Sequence, residues 1–532
     1  MPGSPDFPPG GMLSPPVPSA HPMLFLQFET RHSIYDSSEP QGQFIVEAST
    51  SHTHGEPLEE IVGRSDSTDV NLAFEITVDD HALISANINT SAGPQLFDFD
   101  FASLPPRLKA YEAVLEATLS PHGGDQNFTA TTDLYYLPAK NSGSTVKVDN
   151  LYGGMLVAND ATDYAFKPLL PFGFYTSCSG YLNYSLSNVA AYKDLGFNAI
   201  NPVCAFTDGN LDYLFDWLDE TNVWYQYDMR GSYLNLSSVA EQIPLIKDRS
   251  AFLSWYTADE PDGWQYPLNS TRLTYESLKE QDPYHPTGLV LNCDNYHFKE
   301  YSTGADYLME DAYPVGIDPA YSRPWNTTCN TTYGDCGCDN CIGELEDVSN
   351  RLDSYRDYQQ WLGRWQKPLW SVLQAFHGPY WSRNPTAIET WAMVMLSFSH
   401  GAKAVMSWQF PNSDALSEAH AAFAKVATLP PVSTFLLNDN PKSVKTDGNE
   451  KLDVSYWMHG DEMMVGIANL ERENNQQRVE IGLPFACKGT GSQPWGNVAW
   501  KLAESNQSCT LVSANGLEGL ATSIVILRME TE

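Results

Sequence analysis

Between about Pro168 and Leu429 the chain repeats one pattern eight times: a short apolar run, then ten or more residues with helical spacing. Strict repetition of strand then helix leaves few folds available, because each helix must cover the strand it follows and return the chain parallel to it. Strands are expected at 172–177, 199–203, 224–228, 252–259, 288–292, 307–311, 369–374 and 404–408. The intervening helices are amphipathic. In 211–218 Leu211, Leu214, Phe215 and Leu218 fall on one face, while Asp212, Asp216 and Asp219 point outward. Eight such units predict a closed (β/α)8 TIM barrel over residues 168–430, whose chemistry belongs at the C-terminal ends of its strands.

On either side the period changes to two. Alternating runs such as Val70-Asn-Leu-Ala-Phe-Glu-Ile-Thr-Val78 and Glu462-Met-Met-Val-Gly-Ile-Ala-Asn-Leu470 predict an N-terminal β-sandwich over 23–167 and a C-terminal β-sandwich over 431–532. Residues 1–22 are expected to be a disordered Pro-rich tail. Met1–His21 lacks a basic region followed by an apolar stretch, so it does not read as a secretory signal.

At 532 residues the chain is too long for one core, and 42% apolar with 18% charged residues suits folded domains. A formal net charge of −36 would repel phosphate backbones and anionic lipid surfaces. With no apolar run of 18 residues, neither nucleic acid nor a membrane is expected as a partner. Eight Asn-x-Ser/Thr sequons, at Asn89, Asn127, Asn183, Asn235, Asn269, Asn326, Asn330 and Asn506, favour a secreted, extracellular, N-glycosylated protein.

The nine cysteines agree with that compartment. Cys329, Cys336, Cys338 and Cys341 crowd one loop, where two disulfides are favoured over a zinc site because the spacing matches no zinc template. Cys487 and Cys509 make a plausible third pair. Cys178, Cys204 and Cys293 fall near expected strand ends, and one cysteine must stay unpaired.

The sequence has no Gly-x-Ser-x-Gly elbow, no phosphate-binding Gly-x4-Gly-Lys-Ser/Thr loop, no Gly-x-Gly-x-x-Gly after a strand and no His-Glu-x-x-His. Carboxylates and aromatics concentrate at expected strand ends instead. Asp228 ends the third strand, Asp259 and Glu260 the fourth, and Glu310 and Asp311 the sixth, while Asp294 follows the fifth. Glycosidic cleavage needs one carboxylic acid to protonate the leaving oxygen and a carboxylate acting on the anomeric side. Pro261 stops the fourth strand where Glu260 is delivered. Trp255, Tyr256, Trp264 and Tyr266 are candidates for an apolar wall that raises the acid's pKa and stacks on sugar.

The segment Trp255-Tyr-Thr-Ala-Asp-Glu-Pro261 resembles the fourth-strand signature of retaining barrel glycosidases, in which Asn-Glu-Pro carries the acid/base Glu. The resemblance places Glu260 on that residue and Asp259 on the Asn. Similarity extends through Pro171-Phe-Gly-Phe-Tyr175, Tyr227-Asp-Met-Arg230, Asp311-Ala-Tyr-Pro314, Trp370-Ser-Val-Leu-Gln-Ala-Phe376 and Ser407-Trp-Gln409. Together these segments resemble a poorly characterised group of barrel glycosidases. The retaining enzymes carry a nucleophilic Glu at the end of strand seven, where this chain reads Leu373-Gln-Ala-Phe-His377, so retention does not follow from the resemblance.

The expectation is a glycoside hydrolase acting on an oligo- or polysaccharide without metal or organic cofactor. Glu260 is its acid and Asp311 its opposing carboxylate, with Asp228 next in line. Neighbouring strands lie about 4.8 Å apart, so residues two strands apart could hold their carboxyls at the roughly 6.5–9.5 Å of an inverting enzyme. Asp259, Asp228, Tyr175, Trp255, Tyr256, Trp264, Tyr313, Gln374, His377 and Trp408 are the expected substrate-binding residues, with Trp381 and Gln409 as further candidates. Glu310 should face away from Asp311 across its strand. Two other classes fit the composition: a catalytically inactive, lectin-like barrel, and a structural surface protein.

Overall fold

The computed structural model describes residues 11–58, 69–120, 125–182, 185–206, 211–329, 337–446, 449–504 and 508–530. At its centre eight parallel strands close into a barrel: β1 Phe172–Ser177, β2 Ala199–Val203, β3 Trp224–Asp228, β4 Phe252–Asp259, β5 Thr287–Leu291, β6 Tyr307–Glu310, β7 Leu369–Ser371 and β8 Ala402–Phe410. Closure is made by β1 against β8, with Phe172 opposite Val405 and Gly173 opposite Met406. The covering helices are α1 Leu186–Asp194, α2 Leu211–Thr221, α3 Leu236–Ile246, α4 Ser270–Gln281, α5 Phe298–Tyr301, α6 Glu346–Trp361, α7 Ala387–Ser399 and α8 Asp414–Ala427. On α2, Leu214, Phe215 and Leu218 are buried and Asp212 and Asp216 exposed, as the periodicity predicts. Asp219 departs from the pattern: it is half-buried and accepts from the Ala251 amide at 2.7 Å, fastening α2 to the start of β4.

Because side chains alternate across a strand, the barrel has two apolar surfaces. One set, including Tyr175, Tyr256, Met309 and Trp370, fills the interior. The other, including Phe174, Trp255 and Leu308, packs against the helices. This double burial is why the strands read as unbroken apolar runs. Gly173 shows how tight the wall is, since a Cβ there would stand 1.8 Å from the Ala199 carbonyl oxygen.

The bottom of the barrel is sealed by preceding chain. Thr145–Val148 and Met155–Ala158 form an antiparallel hairpin whose Val146, Val148, Met155 and Val157 join the interior cluster. Beside it the buried Ser144 hydroxyl donates to the Phe252 carbonyl at 2.7 Å and lies 3.0 Å from His285 Nε2. His285 Nδ1 and Trp255 Nε1 both meet Asp282 Oδ2, at 2.8 and 2.9 Å. Every member of that network has a partner, as a buried polar cluster requires.

Upstream lie two four-stranded antiparallel sheets. One contains Met23–Thr30, Gln41–Ser51 and Gln95–Asp100; the other contains Asn71–Val78, His81–Asn89, Tyr111–Leu119 and Gln126–Leu134. Their facing side chains share one core, so the N-terminal sandwich is present. Before the sheets, Leu13 and Asn295 exchange two hydrogen bonds of 2.7 and 3.0 Å, which tie the described part of the tail to the loop after β5. Residues 1–10 lie outside the described set.

After the barrel, residues 432–438 form a short helix, α9 Val432–Asn438, rather than the first strand of a sandwich. A five-stranded and a three-stranded sheet follow. Along Glu462–Asn469, Met463, Val465 and Ile467 face the sandwich core, whereas Met464 and Ala468 join the core cluster that contains the barrel helices. That second contact breaks the alternation and makes the strand apolar on both sides.

Disulfides join Cys178 to Cys204, Cys338 to Cys341 and Cys487 to Cys509, while Cys293 is a buried free thiol. Cys329 is also disulfide-bonded; Cys336 lies outside the described residues. Disulfides at Cys329, Cys338 and Cys341 replace the zinc alternative at those positions. Among the described residues no helix is long and apolar enough to cross a membrane.

Beside the ion pairs of Lys451 with Glu346 and of Arg472 with Glu389, a histidine clamp joins the last sheets to the barrel. His400, just after α7, places Nδ1 2.9 Å from Asp353 of α6 and Nε2 2.8 Å from Asp453 of the strand Leu452–His459. Burial lowers the imidazole pKa, but hydrogen bonds to Asp353 and Asp453 outweigh it and raise the value to about 9. A folded value above the roughly 6.5 of free histidine means that the stabilisation is complete below about pH 6 and is lost as pH rises through about 9. We expect His400→Ala to cost about 1–2 kcal/mol at pH 6, after allowing for the exposure of Asp353, and much less at pH 10. Calorimetric melting at the two pH values checks this; an equal loss at both would exclude the charged clamp.

Candidate active site

At its C-terminal end β4 makes a sharp turn. Glu260 has φ +49°, a left-handed conformation that costs a non-glycine residue about 1 kcal/mol or more and persists only when neighbours enforce it. The enforcement is visible. Asp262, buried within the turn, accepts from the amides of Asn292 (3.1 Å), Cys293 (2.8 Å) and Gly263 (3.0 Å), pinning the turn to the end of β5. The Glu260 amide donates to Val290 at 3.2 Å, and its carbonyl accepts from Trp264 at 3.0 Å.

This turn brings the Glu260 carboxyl into hydrogen-bond contact with Asp311, which follows β6. Burial raises the pKa of Glu260 well above the usual carboxylate range, and the neighbouring Asp311 and Asp259 charges push it further. Burial also raises Asp311, while its bond to Glu260 and the Arg351 guanidinium oppose the rise. Two buried carboxyls in contact cannot both ionise cheaply: Asp311 is pushed up to about 8 and Glu260 higher, so Glu260 holds its proton and donates it toward Asp311. Tyr313 is buried beside both, its phenol raised by burial and then by their charges. The separation of about 6.5–9.5 Å expected for inversion is therefore not found: directly bonded carboxyls leave no room between them for an attacking water.

A second carboxylate pair is organised by Arg230. Its Nε lies 2.8 Å from Asp228 Oδ2, and its Nη1 donates to Asp259 Oδ2 at 2.7 Å. Asp228 also accepts from Asn201 at 2.9 Å, and Asp259 from the Tyr256 hydroxyl at 2.6 Å. The guanidinium carbon sits 5.4, 5.4 and 5.3 Å from the ring centres of Tyr175, Tyr256 and Trp408. Three electron-rich faces around one cation form an aromatic cage, and Arg230 is the residue that gathers these side chains into one cluster. In the sequence Arg230 stands out only as part of Tyr227-Asp-Met-Arg230; its signal is a lone cation directly after a strand end. Arg351, which donates to the Asn292 carbonyl at 2.7 Å, lies on α6 and left no such signal.

The remaining expected residues fall elsewhere. Trp255 points out of the barrel, fully buried against the helices and bonded to Asp282, because it lies one residue out of phase with the inward Tyr256. It cannot be a sugar platform. Gln374 binds the loop after β6 at two points, accepting from the Val315 amide at 2.8 Å and donating to the Val315 carbonyl at 3.0 Å, and donates as well to the carbonyl of Phe376 in its own connection at 3.2 Å. Both ends of its amide are engaged, so it is a loop clasp rather than a substrate ligand. His377 and Gln409 are exposed. Trp264 is 55% exposed and stacks on Tyr266 outside the cluster. Trp381 donates to the Tyr313 carbonyl at 2.8 Å and meets its ring edge-on. Asp294 is bound by Tyr358 and Asn340, both at 3.0 Å. Glu310 lies on the face of β6 opposite Asp311, held by the Ala312 amide at 2.9 Å and pushed by burial up to about 7.

Two clefts of ≈ 920 and ≈ 1020 Å³ open between the N-terminal sheets and the barrel bottom, both lined by Trp365, Lys367 and Pro368. None of the carboxylates above lines either, and both lie at the end of the barrel where active sites are not found.

Fold and side-chain arrangement together define a (β/α)8 barrel with a proton-sharing carboxyl pair and an arginine-bridged carboxylate pair at its strand ends. No protein-family model matches the chain, and no curated protein matches its sequence. Solved structures similar to it include the β-D-glucuronidase of Dictyoglomus thermophilum, with 13% identity over 73% of this chain and a TM-score of 0.33. Others are the β-glucuronidase of Ruminococcus gnavus in complex with D-glucuronic acid (11%, 73%, 0.34) and a GH30 endoxylanase of Clostridium papyrosolvens (12%, 68%, 0.41). The match spans 61% and 62% of the two glucuronidases and 97% of the endoxylanase.

The shared proton has a measurable signature. A carboxyl pair whose folded pKa is raised contributes stability that is full below an ordinary carboxylate pKa of about 4 and is lost as pH rises through the raised value. Asp311→Asn removes one charge and leaves Glu260 an acceptor. Its Tm relative to the native chain should therefore rise between pH 5 and pH 8.5, and a pH-independent difference would exclude the pair.

Proposed function

We propose that this protein is a glycoside hydrolase acting on an oligo- or polysaccharide, with Glu260 as the acid that protonates the departing oxygen. The observation that carries the reading is the Glu260–Asp311 hydrogen bond at the mouth of a closed barrel. It keeps a carboxylic acid protonated near neutral pH, which is the state a general acid needs before the bond breaks. Asp311 then acts through Glu260, holding its proton and its orientation. Asp228 and Asp259, each paired with Arg230, supply negative charge toward a sugar that becomes cationic in the transition state. Tyr256 and Trp408 offer aromatic surface beside them. The disulfides and the sequons on exposed residues such as Asn127 and Asn235 support a secreted, glycosylated protein.

One observation favours a second reading, a carbohydrate-binding barrel without turnover. The position where retaining relatives of this type carry a nucleophile is Gln374, and its amide is consumed by backbone contacts. Reducing-sugar release from a polysaccharide panel separates the two. On the substrate that responds, Glu260→Gln should lose about 10²-fold or more of turnover with poor leaving groups and less with activated aryl glycosides. Sugar binding with no release by the native chain would replace the hydrolase reading by the lectin-like one. Proton NMR of the first anomeric product then distinguishes retention from inversion.

A further inference from the structure

The charge around the mouth is lopsided. The eight connections from strand end to following helix contain nine aspartates and glutamates, three arginines and no lysine. Of the arginines, Arg383 is bound by both oxygens of Glu389 at 2.7 Å, and Arg323 is exposed on the long loop after β6. Of the loop arginines that leaves Arg230 within the carboxylate cluster, where two carboxylates already neutralise it; Arg351 of α6, whose charge also reaches Asp311, is taken up by Asp294 and the Asn292 carbonyl. Asp228 and Asp259 exceed Arg230 by one charge and Asp294 offsets Arg351, so the cluster carries net negative charge whatever the proton count of Glu260 and Asp311.

We infer that the sugar bound at this site carries no acidic group, and that uronic-acid glycosides are rejected. A substrate carboxylate would enter a partly buried space beside several like charges, where water screens poorly, and would meet in Arg230 only a cation whose charge two carboxylates already neutralise. What the cluster does offer is suited to hydroxyl groups. The carboxylate oxygens accept, and Arg230 Nη2 is buried without a partner and can still donate. This deepens the glycosidase reading and rests on it for the location of the site, but its test does not require turnover.

Glu260→Gln preserves the charge of the pair, because glutamine replaces the protonated member. Calorimetric binding to this variant should be compared for p-nitrophenyl glucoside, galactoside and xyloside and for the corresponding glucuronide and galacturonide. The uronides are expected to bind at least tenfold more weakly than their uncharged counterparts. Adding Asp228→Asn, which removes one repelling charge and half-frees Arg230, should narrow that ratio severalfold. Equal or tighter uronide binding, no binding of any uncharged glycoside, or a ratio unmoved by Asp228→Asn overturns the inference. An uncharged glycoside that binds preferentially yet is not cleaved by the native chain leaves the inference standing and removes the hydrolase.

Discussion

The pairing of Phe172 with Val405 and of Gly173 with Met406 joins the first barrel strand to the last, and the rest of the molecule depends on that closure. An open eight-stranded sheet would present two unpaired edges; a closed one presents none, and its interior becomes a solid apolar plug. Once the inside holds Tyr175, Met309 and Trp370 and the outside is roofed by helices, polar groups needing partial access to solvent find room mainly at the two ends. The end where strands run out into loops collects the carboxylates.

Crowding carboxylates into such a place has an electrostatic cost, and the molecule meets it in two different ways. Glu260 and Asp311 are both pushed upward by burial and contact, so the pair holds on to a proton rather than to its full negative charge. Asp228 and Asp259 stay with a cation that three aromatic rings help to hold. One pair is thereby held together by a proton and the other by a cation, at the ends of the third, fourth and sixth strands. The left-handed backbone at Glu260 belongs to the same economy of space: without Asp262 drawing the turn onto β5, the acid would have no reason to face Asp311.

Much of this was legible in the sequence because periodicity reports which side of an element is covered. The first four barrel strands fall where the apolar runs place them, and the inner face of α2 is the predicted one. What failed was phase and distance. Trp255 and Tyr256 are adjacent and equally aromatic, and only the barrel's inside and outside tell them apart, so one lies in the site and the other against a helix. Strand spacing suggested well-separated carboxyls, but the turn at Glu260 and the length of its side chain close the gap, which no spacing rule encodes. Gln374 looked like a ligand because of where its strand ends; the long loop after β6 needed it more. Arg351 reaches under the site from a helix forty residues beyond Asp311, so nothing local marks it.

The hairpin of Thr145–Ala158 beneath the barrel gives the architecture a direction. Its valines and Met155 belong to the barrel's interior, yet the chain reaches them before the first barrel strand begins. The barrel has no floor of its own; it borrows one from the linker that joins it to the N-terminal sheets. A fragment trimmed to the strand-and-helix repeat would thus be a bottomless cylinder, its inner layer of Trp224, Leu253 and Tyr307 wetted from below. The smallest piece of this protein able to stand alone begins upstream of its own barrel, and the boundary that the eye draws between domains is not the one along which the molecule could be cut.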